Sequence, residues 1–178
     1  MEVIGKAGRV DRLSGLEIEN ENILGHFKEA IHRSDDSEEA KSVVSAEYSC
    51  LRSMMLEPQN TTMWNSLALV YMLSDNVSDA EEAIERSLDI DTSNAWTWSI
   101  WGDLLKHMGR LVDAERAFRM VLELDPNDTH ALHQSVTIYT LRDAYPEVLD
   151  MLQRLIPLTP NDQELWDAYS ACLRIIRY

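Results

Sequence analysis

The sequence predicts an all-α fold built as an array of antiparallel helix hairpins. Three observations carry that expectation. Proline stands at positions 58, 126 and 160, spaced 68 and 34 residues apart, and Thr92 holds the slot midway between the first two. Two residues after each slot comes Asn60, Asn94, Asp128 or Asp162. Such side chains satisfy the free N–H groups of a starting helix. After each cap the apolar residues recur at helical spacing, as in Trp64, Leu67, Val70 and Tyr71. Residues so spaced share one helix face.

The elements follow in order. Met1 to Asn20 fits no repeat and reads as a flexible arm (1–20) ahead of a helical domain (21–178). Residues 21–58 read as a degenerate hairpin, with helices near Glu21 to Arg33 and Ser37 to Leu56. Three units of 34 residues come next, at 61–94, 95–128 and 129–162. Their first helices are expected at Thr61 to Ser74, Ala95 to His107 and Thr129 to Arg142. The pairs Asp75-Asn76, Gly109-Arg110 and Asp143-Ala144 suit a helix end and a tight link. Each second helix carries an acid in its first turn, Asp79, Asp113 or Glu147, favourable beside the positive end of the helix dipole. Pro146 falls in a first turn, where a missing N–H costs little. A lone helix over 163–177 is expected to cap the last apolar face.

On these residues the chain resembles the tetratricopeptide repeat (TPR), whose signature is Trp-x2-Leu-Gly-x2-Tyr, then Ala-x3-Phe, then Pro. The first unit supplies Trp64, Leu67, Tyr71 and Ala80, with Ala68 for the glycine and Ile84 for the phenylalanine. The second supplies Trp98, Gly102, Ala114, Phe118 and Pro126, and departs with Trp101 and Leu105. The third has Leu132, Tyr139, Leu152 and Pro160, but Val136 and Val148 replace small residues, so its helices should pack less closely. The resemblance implies a right-handed superhelix whose first helices line a concave groove. It further implies a non-catalytic adaptor that takes a peptide or a partner's helix there.

The groove residues follow from the register. The partner-binding candidates are Asn65, Leu69 and Met72 in the first unit, then Trp96, Ser99, Asp103 and Lys106, then His130, His133 and Thr137, and last Asp167. Trp96 lies off the inward stripe of its helix and fits two placements. It is a groove anchor, or it packs against the preceding unit. Asn65 and Asp103 either bond a peptide backbone or are simply solvated. One subset of the resembling proteins clamps a C-terminal carboxylate with paired Lys, Asn and Arg. Here Asn65, Leu69, His130 and Gln134 stand at those places, so that clamp is absent.

Composition narrows the function classes. The formal charge of −15 opposes binding to phosphate backbones and anionic membranes, which needs clustered cations. No run approaches the ~18 apolar residues of a membrane span. No signal segment is visible, so Cys50 and Cys172 are expected as reduced thiols in a cytoplasmic protein.

No catalytic, cofactor or metal motif stands out. His107, His130 and His133 weigh as zinc ligands, yet no His-Glu-x-x-His occurs and no cysteine is near, so they read as incidental. The carboxylates are spread over exposed helix faces, and Gly5-Lys6-Ala7-Gly8 lacks the remainder of a phosphate loop. A second reading is a non-catalytic subunit of an enzyme complex, similar to the α subunit of protein prenyltransferases. Its Trp-Asn pair is echoed once, by Trp64-Asn65.

Overall fold

A computed structural model describes residues 38–176. The expected arm and the expected helix near Glu21 to Arg33 lie outside the described residues. Eight helices follow in order: α1 (Glu38–Leu56), α2 (Thr61–Leu73), α3 (Val77–Ile90), α4 (Ala95–His107), α5 (Leu111–Leu124), α6 (Thr129–Leu141), α7 (Tyr145–Leu155) and α8 (Gln163–Ile176). No strand occurs among the described residues.

The caps work as the sequence implies. Asn60 accepts from the Thr62 N–H at 3.0 Å, Asn94 from Thr97 at 3.2 Å, Asp128 from Ala131 at 2.7 Å and Asp162 from Glu164 at 3.0 Å. Each first helix from α2 to α6 then ends on one left-handed residue. Asp75 has φ 55°, Gly109 φ 73° and Asp143 φ 56°. In all three turns the next amide reaches back to a carbonyl one turn inside the helix: Asn76 to Tyr71, Arg110 to Leu105 and Ala144 to Tyr139, at 2.8 to 2.9 Å. This is a Schellman ending. It reverses the chain in two residues, so each second helix lies antiparallel to its first.

Three cores hold the array, and each has one composition: a hairpin plus the first helix of the following unit. The first joins Trp64, Leu67, Ala68, Tyr71, Ala80 and Ile84 to Ile100 and Leu104 of α4. The second joins Leu105, Ala114, Phe118 and Val121 to Ala131 and Ile138 of α6. The third joins Leu132, Val148, Leu152 and Leu155 to Leu165 and Cys172 of α8. Each first helix therefore has two apolar edges, one for its own hairpin and one for the unit before.

The closest packing is inside the second hairpin. A methyl group built on Gly102 would lie 2.7 Å from Cζ of the Phe118 ring. Burial of Phe118 against that backbone contributes roughly 1.5–3 kcal/mol. The third hairpin makes less extensive contact than the first two. Val148 stands there where Ala80 and Ala114 allow closer approach.

The tryptophans tie hairpins to their preceding loops. The indole N–H of Trp64 donates to the Pro58 carbonyl at 3.0 Å, Trp98 to Thr92 at 2.8 Å and Trp166 to Pro160 at 3.3 Å. Each bond spans six residues and anchors the loop to the helix it introduces.

Candidate partner-binding face

The expected binding residues all stand on the first helices of the units. α2 packs directly on α4 as well as on its own partner, while no comparable contact joins α3 to α5. Two further contacts cross from α4 to α6 on this side. The Asp103 carboxylate meets His130 Nε2 at 2.9 Å, and Lys106 Nζ donates to Gln134 Oε1. The His130 ring also stands edge-on to Phe118, with centroids 6.0 Å apart.

The expected binding residues divide by environment. Leu69 is 38% exposed and Trp96 is 44% exposed, large apolar side chains left in solvent. His130, Thr137 and Asp167 are exposed, whereas Ser99, Asp103, Lys106 and His133 are half-buried. The Thr137 hydroxyl donates to its own helix at the His133 carbonyl, 3.1 Å away. Asp167 accepts from Gln163 Nε2 at 3.2 Å. The contacts of Asp103 and Lys106 run between units, so these two side chains brace the stack. Met72 is half-buried against the first core rather than projecting from it.

Asn65 corrects the sequence expectation outright. It is fully buried, neither solvated nor open to a peptide. Its Oδ1 accepts from Thr97 Oγ1 at 3.1 Å, and that hydroxyl lies 3.0 Å from Ser87 Oγ. Asn94 Nδ2 donates to Thr61 Oγ1 at 3.0 Å beside it. Together they form a polar seam where α2, α3 and α4 meet. The Nδ2 of Asn65 has no partner, and an unmet buried donor is costly. The hairpin signature does not specify this seam, because it arises between units. A polar residue at Ser87, where the second and third units carry Val121 and Leu155, is the clue that sequence reading missed.

The histidines do not converge. His107 Nε2 lies 3.2 Å from Asp75 at the turn of the preceding hairpin, while His130 pairs with Asp103. No group of three or more His, Cys, Asp or Glu side chains among the described residues is arranged to hold a metal ion. Both cysteines are free thiols. Burial pushes Cys172 up, and burial followed by the Glu47 charge does the same for Cys50. Burial first, and then the Glu115 carboxylate, push Tyr139 above the ordinary phenol range. Its hydroxyl donates to Glu115, which also pairs with Arg142. Among the described residues, no helix is long and apolar enough to cross a membrane.

No protein-family model matches the chain, and no curated protein matches it. Solved structures do. MamA is similar with a TM-score of 0.65 at 15% identity, over 79% of this chain and 85% of that one. The first TPR of Spaghetti (RPAP3), solved with an HSP90 peptide, gives 0.60 at 14% identity, over 67% and 95%. PilF of Pseudomonas aeruginosa gives 0.68 at 14%, over 92% and 71%. The chain is an all-α, right-handed solenoid of antiparallel helix hairpins with the tetratricopeptide-repeat fold.

Proposed function

We propose that this protein is a non-catalytic interaction adaptor in the cytoplasm that holds a peptide or a partner's helix along its first helices. One observation carries the reading. Trp96 and Leu69 stay 44% and 38% exposed on consecutive first helices, while every core position around them is filled. Exposed aromatic anchors of this kind supply most of the energy in small interfaces. The polar side chains of His133, Thr137 and Asp167 supply rim contacts. The domain division is read in the same way, with repeats at 61–94, 95–128 and 129–162 and a capping helix after them.

The test is affinity capture with the full chain, comparing wild type with Trp96→Ala and Leu69→Ala. A specific partner retained by wild type and lost from Trp96→Ala supports the reading. A partner set unchanged by both substitutions overturns it.

A further inference from the structure

Charge is divided unevenly between the two helices of each unit. The second helices α3, α5 and α7 carry fourteen Asp, Glu, Lys and Arg side chains. The first helices α2, α4 and α6 carry two, Asp103 and Lys106. Burial alone does not explain the difference. Every exposed side chain of these three first helices is Thr, Leu, Trp or His, although exposed positions are where charged residues ordinarily stand.

The outward positions repeat from unit to unit. Thr62, Leu69 and Leu73 fall at i, i+7 and i+11, one stripe of α2. The matching stripe of α4 holds Trp96, Asp103 and His107, and that of α6 holds His130, Thr137 and Leu141. The stripes adjoin, because α2 packs on α4 and Asp103 reaches His130 on α6. Apolar bulk is open along them, with Leu73 79% and Leu141 63% exposed beside Leu69 and Trp96. The neutral surface stops at α8, where Glu164 is exposed at the position matching His130.

The polar groups of this surface already have partners. The one carboxylate, Asp103, takes His130 Nε2 at 2.9 Å, and Lys106 Nζ donates to Gln134 Oε1. His107 Nε2 lies 3.2 Å from Asp75. The Thr137 hydroxyl donates to the His133 carbonyl, and the Thr140 hydroxyl to the Val136 carbonyl at 2.7 Å. Neither hydroxyl hydrogen is left for a ligand. A charge brought onto this face would lose its water and find no counter-charge, which is costly. An extended peptide would bury main-chain N–H and carbonyl groups against a surface with few open partners. A helix satisfies its own main chain.

We infer that the exposed stripes of α2, α4 and α6 dock one α-helix of a partner protein, and that the contacting face of that helix is apolar and uncharged. The inference rests on the adaptor reading and adds the chemistry of the partner to it.

The test uses the full chain and a displayed library of random peptides about fourteen residues long, roughly four helical turns. Peptides retained by wild type and lost from Leu73→Asp and Leu141→Asp are sequenced, and the most enriched one is synthesised. Both side chains stand outside the three cores, so both variants should keep the wild-type melting transition. Enriched peptides should lack Asp, Glu, Lys and Arg along one stripe of i, i+3, i+4 and i+7 spacing. In fluorescence anisotropy each variant should bind the synthetic peptide about tenfold or more weakly than wild type. Its affinity for wild type should change less than about twofold between about 0.05 and 0.5 M salt, since no ion pair is there to screen. Charges along the stripe, proline-rich extended peptides, or affinity that falls steeply with salt overturn the inference and leave the adaptor reading standing. If no peptide is lost from Leu73→Asp, Leu141→Asp or Trp96→Ala, both are overturned. A dimer in sedimentation that Leu73→Asp disperses also overturns the inference, because the occupant is then a second copy.

Discussion

The guanidinium of Arg154 donates to the carbonyl of Pro126 at 2.9 Å. At the three other junctions an indole performs this task, but the third unit has Leu132 in place of tryptophan. The donor comes from the second helix instead of the first, and the loop is still tied down. Arg154→Met should lower stability by about 0.5–1 kcal/mol, the low end for one hydrogen bond, because water can reach the exposed carbonyl. Urea unfolding of the two proteins checks this. An unchanged midpoint would mean that the contact contributes nothing to stability.

Two glycines should fail for different reasons. Gly102→Ala drives a methyl group into the Phe118 ring, at about 1–3 kcal/mol of overpacking, and a gain of up to about 1 kcal/mol in helix propensity offsets part of it. Gly102→Val loses that offset and should be worse. Gly109 has open space around it but φ 73°, so Gly109→Ala should cost about 1–2 kcal/mol from backbone conformation alone. Shortening Phe118 to leucine should rescue Gly102→Ala and leave Gly109→Ala untouched. Thermal melts of these single variants and of the two Phe118→Leu combinations separate the two mechanisms.

The polar seam predicts an unusual tolerance. Asn65→Leu removes an unpaired buried N–H together with one bond to Thr97, and Thr97 keeps its contact with Ser87. The change should be neutral to within about 1 kcal/mol. Asn65→Asp should cost about 3 kcal/mol or more at pH 7, since it places an unpaired charge in the same site. A carboxyl buried there has its folded pKa raised above the unfolded value of about 3.9. Stability is then present below that unfolded value and lost as pH rises through the folded one. Denaturation of Asn65→Asp at pH 4 and pH 7 should show that order, and greater stability at pH 7 would refute the seam's burial.

Tyr139 gives an alkaline signature. Its pKa is raised by burial and then by Glu115, so the fold favours the neutral phenol. That stability is complete below the ordinary tyrosine pKa of about 10 and is lost as pH climbs through the raised value. Ultraviolet titration should lose one late-ionising tyrosine in Tyr139→Phe, while Tyr145, raised first by its hydrogen bond to Asp143, still ionises late. Glu115→Gln should bring the same titration part of the way back, because burial remains.

The hairpins were legible because their determinants are local. A cap at Asn94, a left-handed Gly109 and the small-to-large contact of Gly102 with Phe118 all lie within one unit, and a 34-residue periodicity exposes them together. Contacts between units were not. Ile100 and Leu104 fall outside the hairpin signature and still fill the first core, and Asn65 closes against Thr97 rather than facing outward. Helical spacing places a residue on a face. It does not say how near the next first helix comes, and that distance decides whether the face is open. Asp103 and His130 were both readable as facing inward, but their mutual pairing depends on the same distance.

Nearly every extensive contact in the array joins helices that are consecutive in the chain, α2 with α4 being the exception among the described residues. Forming them closes only short loops, so the entropic barrier to folding is low, and topology of this kind folds quickly. The same architecture has a mechanical signature. Tension applied to the two ends should not rupture one global core. It should peel hairpins away singly, giving a sawtooth of small, evenly spaced extensions.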